Sequence, residues 1–484
     1  MKPDSLTNAP LRRRDFFART ADGVLGAAFA HLLGQDLLGG RAFAAEALPN
    51  NLARRQGHHP AKATSVIQLF MNGGPSQMDL FDPKPVLDRM DGKPYPGNIE
   101  AIGNQDTTSV GVMMGGQYPM ARRGQSGLWM ADVLPHTAAL ADELCFVHSM
   151  WTDHPNHDNA LYKIHSGRLF MGHPTLGAWT VYGLGTENRN LPAYVVLGDP
   201  LGLPHNGARN WTSGFLPPTF QGTPLRPTGS PILNLEPQFE QPSAVTEAAR
   251  GLLERLDAVH RAERPHQPDL DARIESYGLA ARMQLSASEA LDLSSESPHT
   301  LAMYGVGEKA TDSYGRRCLL ARRLVERGVR FVSLFLEEQP WDSHVDLKDN
   351  HRAACARTDK PVAGLLRDLR QRGLLDDTLV IWGGEFGRTP TSQKSGDLFT
   401  GRDHNMQAFS LWMAGGGVRG GLAYGQTDDF GHAVVENPVS VHDFHATVLH
   451  LLGLDHERLF YPRSGLEERL TGIVPPRVVT ELLA

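Results

Sequence analysis

The chain has 484 residues, 40% hydrophobic and 21% charged, a globular balance that excludes a wholly disordered protein. Lys and Arg number 47 against 54 Asp and Glu, a net charge of −7 with no basic run, which excludes binding nucleic acid through a concentrated positive surface. Cys145, Cys318 and Cys355 are too few and too far apart for a disulfide framework or a C-x-x-C metal or redox motif.

The N-terminus reads as an export signal. Arg12-Arg13-Arg14-Asp15-Phe16-Phe17 precedes a mildly apolar stretch from Val24 to Leu38, and Ala42-Phe43-Ala44 supplies the small residues a signal peptidase needs. Paired arginines before phenylalanine resemble a twin-arginine signal, which exports folded proteins to the periplasm or beyond. Gly34, Gln35 and Asp36 interrupt the apolar run, so it is too polar for a membrane span. The expected organisation is a signal peptide over 1–44, a linker over 45–60 and one domain over 61–484.

Within that domain, residues 65–70 read as a buried strand running into the turn Asn72-Gly73-Gly74-Pro75. Residues 144–147 form a second apolar run, followed by a polar stretch over 152–159 and a helix stopped by Gly167. Residues 193–197 are a third strand, and the Pro- and Gly-rich stretch 200–242 reads as a long surface loop. Leu252, Leu253, Leu256 and Val259 recur at helical spacing, and 274–291 continues in that style, predicting a helical insertion over 243–295. Beyond it come a helix at 318–325, a strand at 330–335 and a helix ending at Gly373. Strands at 378–382 and 409–413 follow, then a helix with Asp443 as N-cap that ends at Gly453. Strands alternating with helices predict an α/β fold: a doubly wound, mainly parallel sheet with helices on both faces, plus a loop and helical insertion over about 200–298.

Gly415-Gly416-Gly417-Val418-Arg419-Gly420 matches G-x-G-x-x-G after a strand, but no helix N-terminus follows to receive a pyrophosphate, so it reads as a glycine-rich turn. No nucleotide cofactor is expected. The chemistry-bearing residues gather instead where predicted strands end. Asn72, Ser76 and Asp79 follow the first strand, and His154, Asn156, His157 and Asp158 the second. Asp342 and His344 follow the strand at 330–335, Glu385 and Arg388 the strand at 378–382, and His404 lies in the next loop. The carboxyl ends of parallel strands converge on one crevice, so these segments are expected to meet. Asp342, His344, Glu385 and His404 are the expected metal ligands, a mixture of carboxylate and imidazole that suits Zn, Mn or Fe better than Ca. Each also has a plain structural alternative: a turn cap for Asp342, a surface or packing role for the histidines.

In order, these segments resemble the alkaline phosphatase and sulfatase superfamily, and within it an exported family catalogued as domain of unknown function 1501. The resemblance rests on Leu69-Phe70-Met71-Asn72-Gly73-Gly74-Pro75-Ser76-Gln77, Ser213-Gly214-Phe215-Leu216-Pro217, Gly384-Glu385-Phe386-Gly387-Arg388-Thr389-Pro390 and Gly401-Arg402-Asp403-His404-Asn405. It covers residue 60 to the C-terminus and implies an alkaline phosphatase-like core. Three positions depart from the superfamily pattern. Asn72 stands where a metal aspartate is expected, Glu385-Phe386 replaces an Asp-His pair, and Asn156-His157-Asp158-Asn159 has no serine, threonine or cysteine nucleophile.

Two functions of different class follow. The first is an exported metal-dependent hydrolase of sulfate or phosphate esters on an anionic ester or polysaccharide substrate. In it a bound metal activates water, His157 acts as general base or nucleophile, Arg388 grips an anionic oxygen and Asn72 borders the cavity. The second is a non-catalytic binding or scaffold protein on a degenerate fold, its helical insertion over 243–295 serving as a protein-partner surface. Neither calls for a membrane span or a nucleic-acid partner. If the export reading holds, replacing Arg13 and Arg14 by Lys leaves uncleaved precursor in the cytoplasm on fractionation, and normal export of the double variant would rule it out.

Overall fold

In the computed structural model, Ser65–Phe70 forms strand β1 and is buried at all six positions. The structure describes residues 51–102, 107–226, 242–264, 267–395, 398–472 and 474–484. The expected signal peptide, residues 45–50 of the expected linker and residues 227–241 of the expected loop lie outside the described residues. A strand covered on both faces has no solvent side to favour polar alternation, which is why β1 reads as an almost continuous apolar run. Its one interior polar residue, Gln68, accepts a hydrogen bond from Ser333 Oγ at 3.1 Å on the neighbouring strand.

The further strands that position the site are β2 (Val110–Met113), β3 (Cys145–Trp151), β4 (Tyr194–Leu197), β5 (Thr223–Leu225) and β6 (Phe331–Phe335). After them come β7 (Thr378–Gly383), β8 (Gly387–Gln393), β9 (Arg402–Asn405), β10 (Phe409–Ala414), β11 (Leu422–Tyr424) and β12 (Val439–Ser440). A nine-stranded sheet runs in the order β11-β3-β10-β7-β1-β6-β4-β5, with β12 beside β3. All its pairings are parallel except those of β10, which is antiparallel to both β3 and β7. The fold is thus α/β with a mixed, mostly parallel central sheet, and Pro49–Ala484 form one compact unit.

Helices cover both faces. The longer ones are α1 (His157–Ser166), α2 (Leu176–Leu184), α3 (Ser243–Glu263), α4 (Pro268–Leu291), α5 (Asp312–Glu326), α6 (Leu347–Gln371) and α7 (Val441–Leu451). Side chains alternate across a strand, so Ile67 and Leu69 share one core with Leu319 of α5 and Leu365 of α6. Phe70 points the other way and packs on Phe335 and on His165 of α1, with ring centroids 5.6 and 4.4 Å apart. Among the described residues, no helix is long and apolar enough to cross a membrane.

Local details depart from the sequence reading for physical reasons. The stretch 200–242 is not wholly loop: it carries two short 3-10 turns and β5, which extends the sheet beside β4. Ser440, not Asp443, caps α7. Its hydroxyl accepts from Asp443 N while the Asp443 carboxylate accepts from Ser440 N, a reciprocal capping box in which Asp443 is the third helical residue. The helical insertion consists of α3 and α4, and α3 turns Val245, Leu252, Leu256 and Val259 to solvent.

The reversed direction of β10 matters most. A strand antiparallel to β7 begins at the edge where β7 ends, so the chain preceding β10 sits at the carboxyl edge of the sheet. That chain is a hairpin: β8 pairs antiparallel with β9 on one side and with β2 on the other, outside the main sheet. Arg402 at the start of β9 is fully buried and bonds Asp79 Oδ2 at 2.8 Å, Pro390 O at 3.0 Å and Gly115 O at 2.9 Å. Asp79 is fully buried too and accepts from Ser76 Oγ at 2.5 Å. Removing one member of a buried ion pair strands the other, at a cost of about 3–5 kcal/mol. Asp79→Ala should therefore lower unfolding stability by about that amount in urea titration, and an unchanged midpoint would show that the hairpin is held by other contacts.

Candidate metal centre

The expected convergence at the carboxyl edge is present in the geometry. His157 follows β3, Asp342 and His344 follow β6, and His404 lies on β9, yet one ligand atom from each falls within 4.8 Å of every other. The Nε2 atoms of His344 and His404 lie 3.0 and 3.3 Å from Asp342 Oδ1, and His157 Nε2 lies 3.4 Å from Asp342 Oδ2. A tetrahedral ion with bonds of about 2.0–2.1 Å separates its ligands by roughly 3.3 Å.

Each imidazole is aimed by what holds it. His157 is the first residue of α1, where the Asn156 side chain caps the helix by accepting from Asp158 N at 2.9 Å. Its Nδ1 meets Glu385 Oε1 at 2.7 Å, which leaves Nε2 to face Asp342. That Nε2 is buried and makes no hydrogen bond despite its closeness to the carboxylate. His344 Nδ1 meets Gln393 Oε1 on β8, turning its Nε2 to the same point. The Phe386 ring walls the cluster, 4.7 Å from the His157 ring and 4.5 Å from the His404 ring between centroids.

The glycines of the first turn make this possible. Gly73 has φ of 112°, and a Cβ there would stand 2.4 Å from Asp342 N. Its own N–H donates to Glu385 Oε1 at 2.9 Å. Only a residue without a side chain lets the turn after β1 press against the backbone of the aspartate. The Asp342 loop is flanked by Glu338 and Asp346, two non-glycine residues with φ of 37° and 52°. Such backbone costs roughly 1–3 kcal/mol each and persists where surrounding structure imposes it.

The electrostatics favour a cation. Burial opposes ionisation of Asp342, but Arg388 and the three imidazoles outweigh it and hold the carboxyl far below the usual carboxylate range. Burial also opposes a charge on His157, yet Asp342 and Glu385 together raise its pKa, so the space between them has a negative potential. His404, desolvated and near Arg388, is pushed down to about 3 and is neutral at pH 7. The carboxylates of Asp342, Glu385 and Asp403 outnumber the Arg388 guanidinium by two charges. A divalent ion neutralises that excess, and the donor set, three nitrogens and one oxygen, suits a transition metal.

Four expected roles meet different surroundings. Glu385, predicted as a ligand, is fully buried and gives its oxygens to His157 and the Gly73 N–H, behind the four converging donors and not among them. His157, predicted as base or nucleophile beside the metal, joins the four converging donors. Arg388, predicted to grip a substrate oxygen, is fully buried; it donates to Asp342 Oδ1 at 2.7 Å, Gly74 O at 2.9 Å and Arg402 O at 3.0 Å. Asn72 is likewise buried, tying the backbone carbonyls of Leu336, Glu337 and Glu338 through its amide, and does not front a cavity as expected. Sequence reasoning passed over His351 of α6, which accepts from Ser76 N at 3.0 Å and meets Ser343 Oγ at 3.2 Å, bracing two site loops from beneath. A lone histidine inside a helix gives no signal of that role.

Among solved structures the chain is similar to the PsFucS1 sulfatase from Pseudoalteromonas sp., with 13% identity over 82% of this chain and 68% of that one and a TM-score of 0.35. It is also similar to an alkaline phosphatase superfamily protein from Vibrio parahaemolyticus, with 10% identity, 91% and 75% coverage and a TM-score of 0.35. The phosphonate monoester hydrolase from Silicibacter pomeroyi gives 12%, 72% and 71%, and a TM-score of 0.33. Likeness this distant carries no argument about the chemistry of the site, and no curated protein matches the chain. A family model described as protein of unknown function (DUF1501) matches residues 63–483, nearly the whole domain, and the chain belongs to that family.

Proposed function

We propose that the protein is an exported hydrolase of sulfate or phosphate esters, carried on polysaccharide, that works with one divalent transition-metal ion. The observation that carries the metal is the meeting of His157, Asp342, His344 and His404 at one point. The ester class follows the motif resemblance set out above. When bound, a metal supplies Lewis acidity toward an ester oxygen and lowers the pKa of water. The chain's own residues do the rest. Arg388 and the two glycines of the first turn fix the Asp342 carboxylate, Glu385 keeps the His157 Nε2 lone pair aimed inward, and Phe386 excludes water from one side.

The second reading, a binding or scaffold protein with a structural metal, is favoured by one specific observation. Four protein ligands would close a tetrahedral site, and the hydroxyls of Ser76 and Ser343 are committed, to Asp79 and His351 respectively. Substituting cobalt for the native ion separates the two. Inorganic sulfate or phosphate perturbs the visible spectrum if a coordination position is open, and leaves it unchanged if the site is closed.

Elemental analysis of protein purified without added metal should find about one transition-metal ion per chain, and Asp342→Ala or His404→Ala should lose it. Metal-free wild-type protein that stays metal-free on titration with zinc or manganese would defeat the proposal. Glu385→Gln should weaken metal affinity about 10–100-fold, the usual effect of removing a partner that orients a ligand. Unchanged affinity would mean that Glu385 serves only the turn.

A further inference from the structure

A cavity opens at the other edge of the sheet. It has a volume of about 940 Å³ and lies where β4 and β5 begin, between the loop around Asn188, the 3-10 turn at Pro218–Phe220 and the side of α4. The metal cluster sits where strands end, so roughly 15 Å of sheet separates the two, at about 3.3 Å per strand residue.

The cavity is cationic in a chain of net charge −7. Arg189, Arg273 and Arg282 line it, against the single carboxylate of Glu275. Two ridges of α4 divide the labour. Glu275, Leu279 and Arg282, at i, i+4 and i+7, dock the helix: Glu275 Oε2 accepts from Thr219 Oγ1 at 2.8 Å, Leu279 packs on the core, and Arg282 Nε donates to Arg189 O at 2.8 Å. Arg273 and Tyr277, also at i and i+4, overhang the opening instead, and Tyr277 is 67% exposed. The remaining polar lining is neutral: Gln221 brings an amide, while the Asn188 amide ties Arg327 O and Asn190 N and Asn51 Oδ1 accepts from Ala53 N.

We propose that this cavity binds an anionic oligosaccharide, with Tyr277 stacking on a sugar ring and the arginines holding its sulfate or carboxylate groups. A tyrosine ring gives a rigid apolar platform at low entropic cost, as the less polar face of a pyranose requires. Guanidinium groups pair sulfate or carboxylate oxygens bidentately, and side-chain amides match sugar hydroxyls. A nucleic acid would need cations in register along a backbone, whereas these three arginines surround one cavity. The ligand class rests on the polysaccharide reading of the substrate. The site would hold a chain at a distance from the metal cluster, a docking role that hydrolysis at the cluster does not require.

The test uses the mature protein on an array of sulfated and uronate oligosaccharides printed beside their neutral backbones, followed by calorimetric titration of the best binder. Tyr277→Ala and Arg273→Gln, both at exposed positions, should each weaken binding at least about tenfold. The neutral backbone should bind at least tenfold more weakly, and His404→Ala should bind like wild type. Absence of any binder overturns the site, as does equal binding by either variant or by the neutral backbone. Competition by single-stranded DNA or polyglutamate as effective as the glycan marks a mere polyelectrolyte effect and overturns it too. Loss of binding in His404→Ala moves the ligand to the metal cluster and sinks this site alone. Intact glycan binding by a wild-type protein that takes up no metal sinks the hydrolase reading and leaves this site standing.

Discussion

One buried guanidinium holds the centre together. Arg388 touches the turn after β1 through Gly73 O and Gly74 O, the loop after β6 through Trp341 O and Asp342, and β9 through Arg402 O. A buried cation costs several kcal/mol unless its donors are used and a counter-charge is near. Here both conditions are met, and the groups that meet them are the segments that must converge. The desolvation cost thereby becomes a constraint. If any of these segments moved away, the arginine would be left with unpaired donors in a dry interior, so the loops either assemble together or the interior charge is uncompensated.

Asp342 is the partner that makes the charge useful. Its Oδ1 takes the arginine and faces two imidazoles while Oδ2 faces His157, so the aspartate transmits the position of Arg388 to the donors. The Glu385 carboxylate behind His157 adds negative potential without entering the cluster. A group of like-oriented lone pairs with excess negative charge is unfavourable by itself and is relieved by a cation. That is the physical content of the metal reading, and it depends on neither the sequence family nor the identity of the ion.

How much of this is legible in the sequence follows from the period of each signal. Buried parallel strands such as β1 and β7 are contiguous apolar runs, and the polar residues after them mark the edge where ligands gather, so Asp342, His344 and His404 were readable as a group. The direction of β10 was not, because an apolar run carries no arrow. The hairpin that delivers His404 therefore read as a long return loop. Roles within the group were also hidden. Glu385 and His157 are both polar residues after strands, and which one turns inward depends on the Gly73 N–H and the cap of α1, contacts between segments far apart in the chain. Arg388 in a glycine-rich stretch reads alike whether it faces substrate or interior. Ser440 and Asp443 both satisfy a capping pattern, and only the backbone tells which lies outside the helix.

The absence of a serine, threonine or cysteine at the expected nucleophile position has a consequence for chemistry. The hydroxyls of Ser76 and Ser343 each serve a buried partner, and His157 meets Glu385 through Nδ1 and faces the cluster with Nε2. A covalent intermediate on any of these groups would require breaking the contacts that hold the centre in shape. If the centre hydrolyses an ester as proposed, these committed groups favour a single displacement by water over transfer of the ester's acyl, phosphoryl or sulfuryl moiety to Ser76, Ser343 or His157. A single displacement inverts configuration at a chiral phosphorus or sulfur centre, whereas a double displacement through a protein nucleophile retains it. The stereochemical outcome of any turnover thus distinguishes attack by water from attack by a group of the chain.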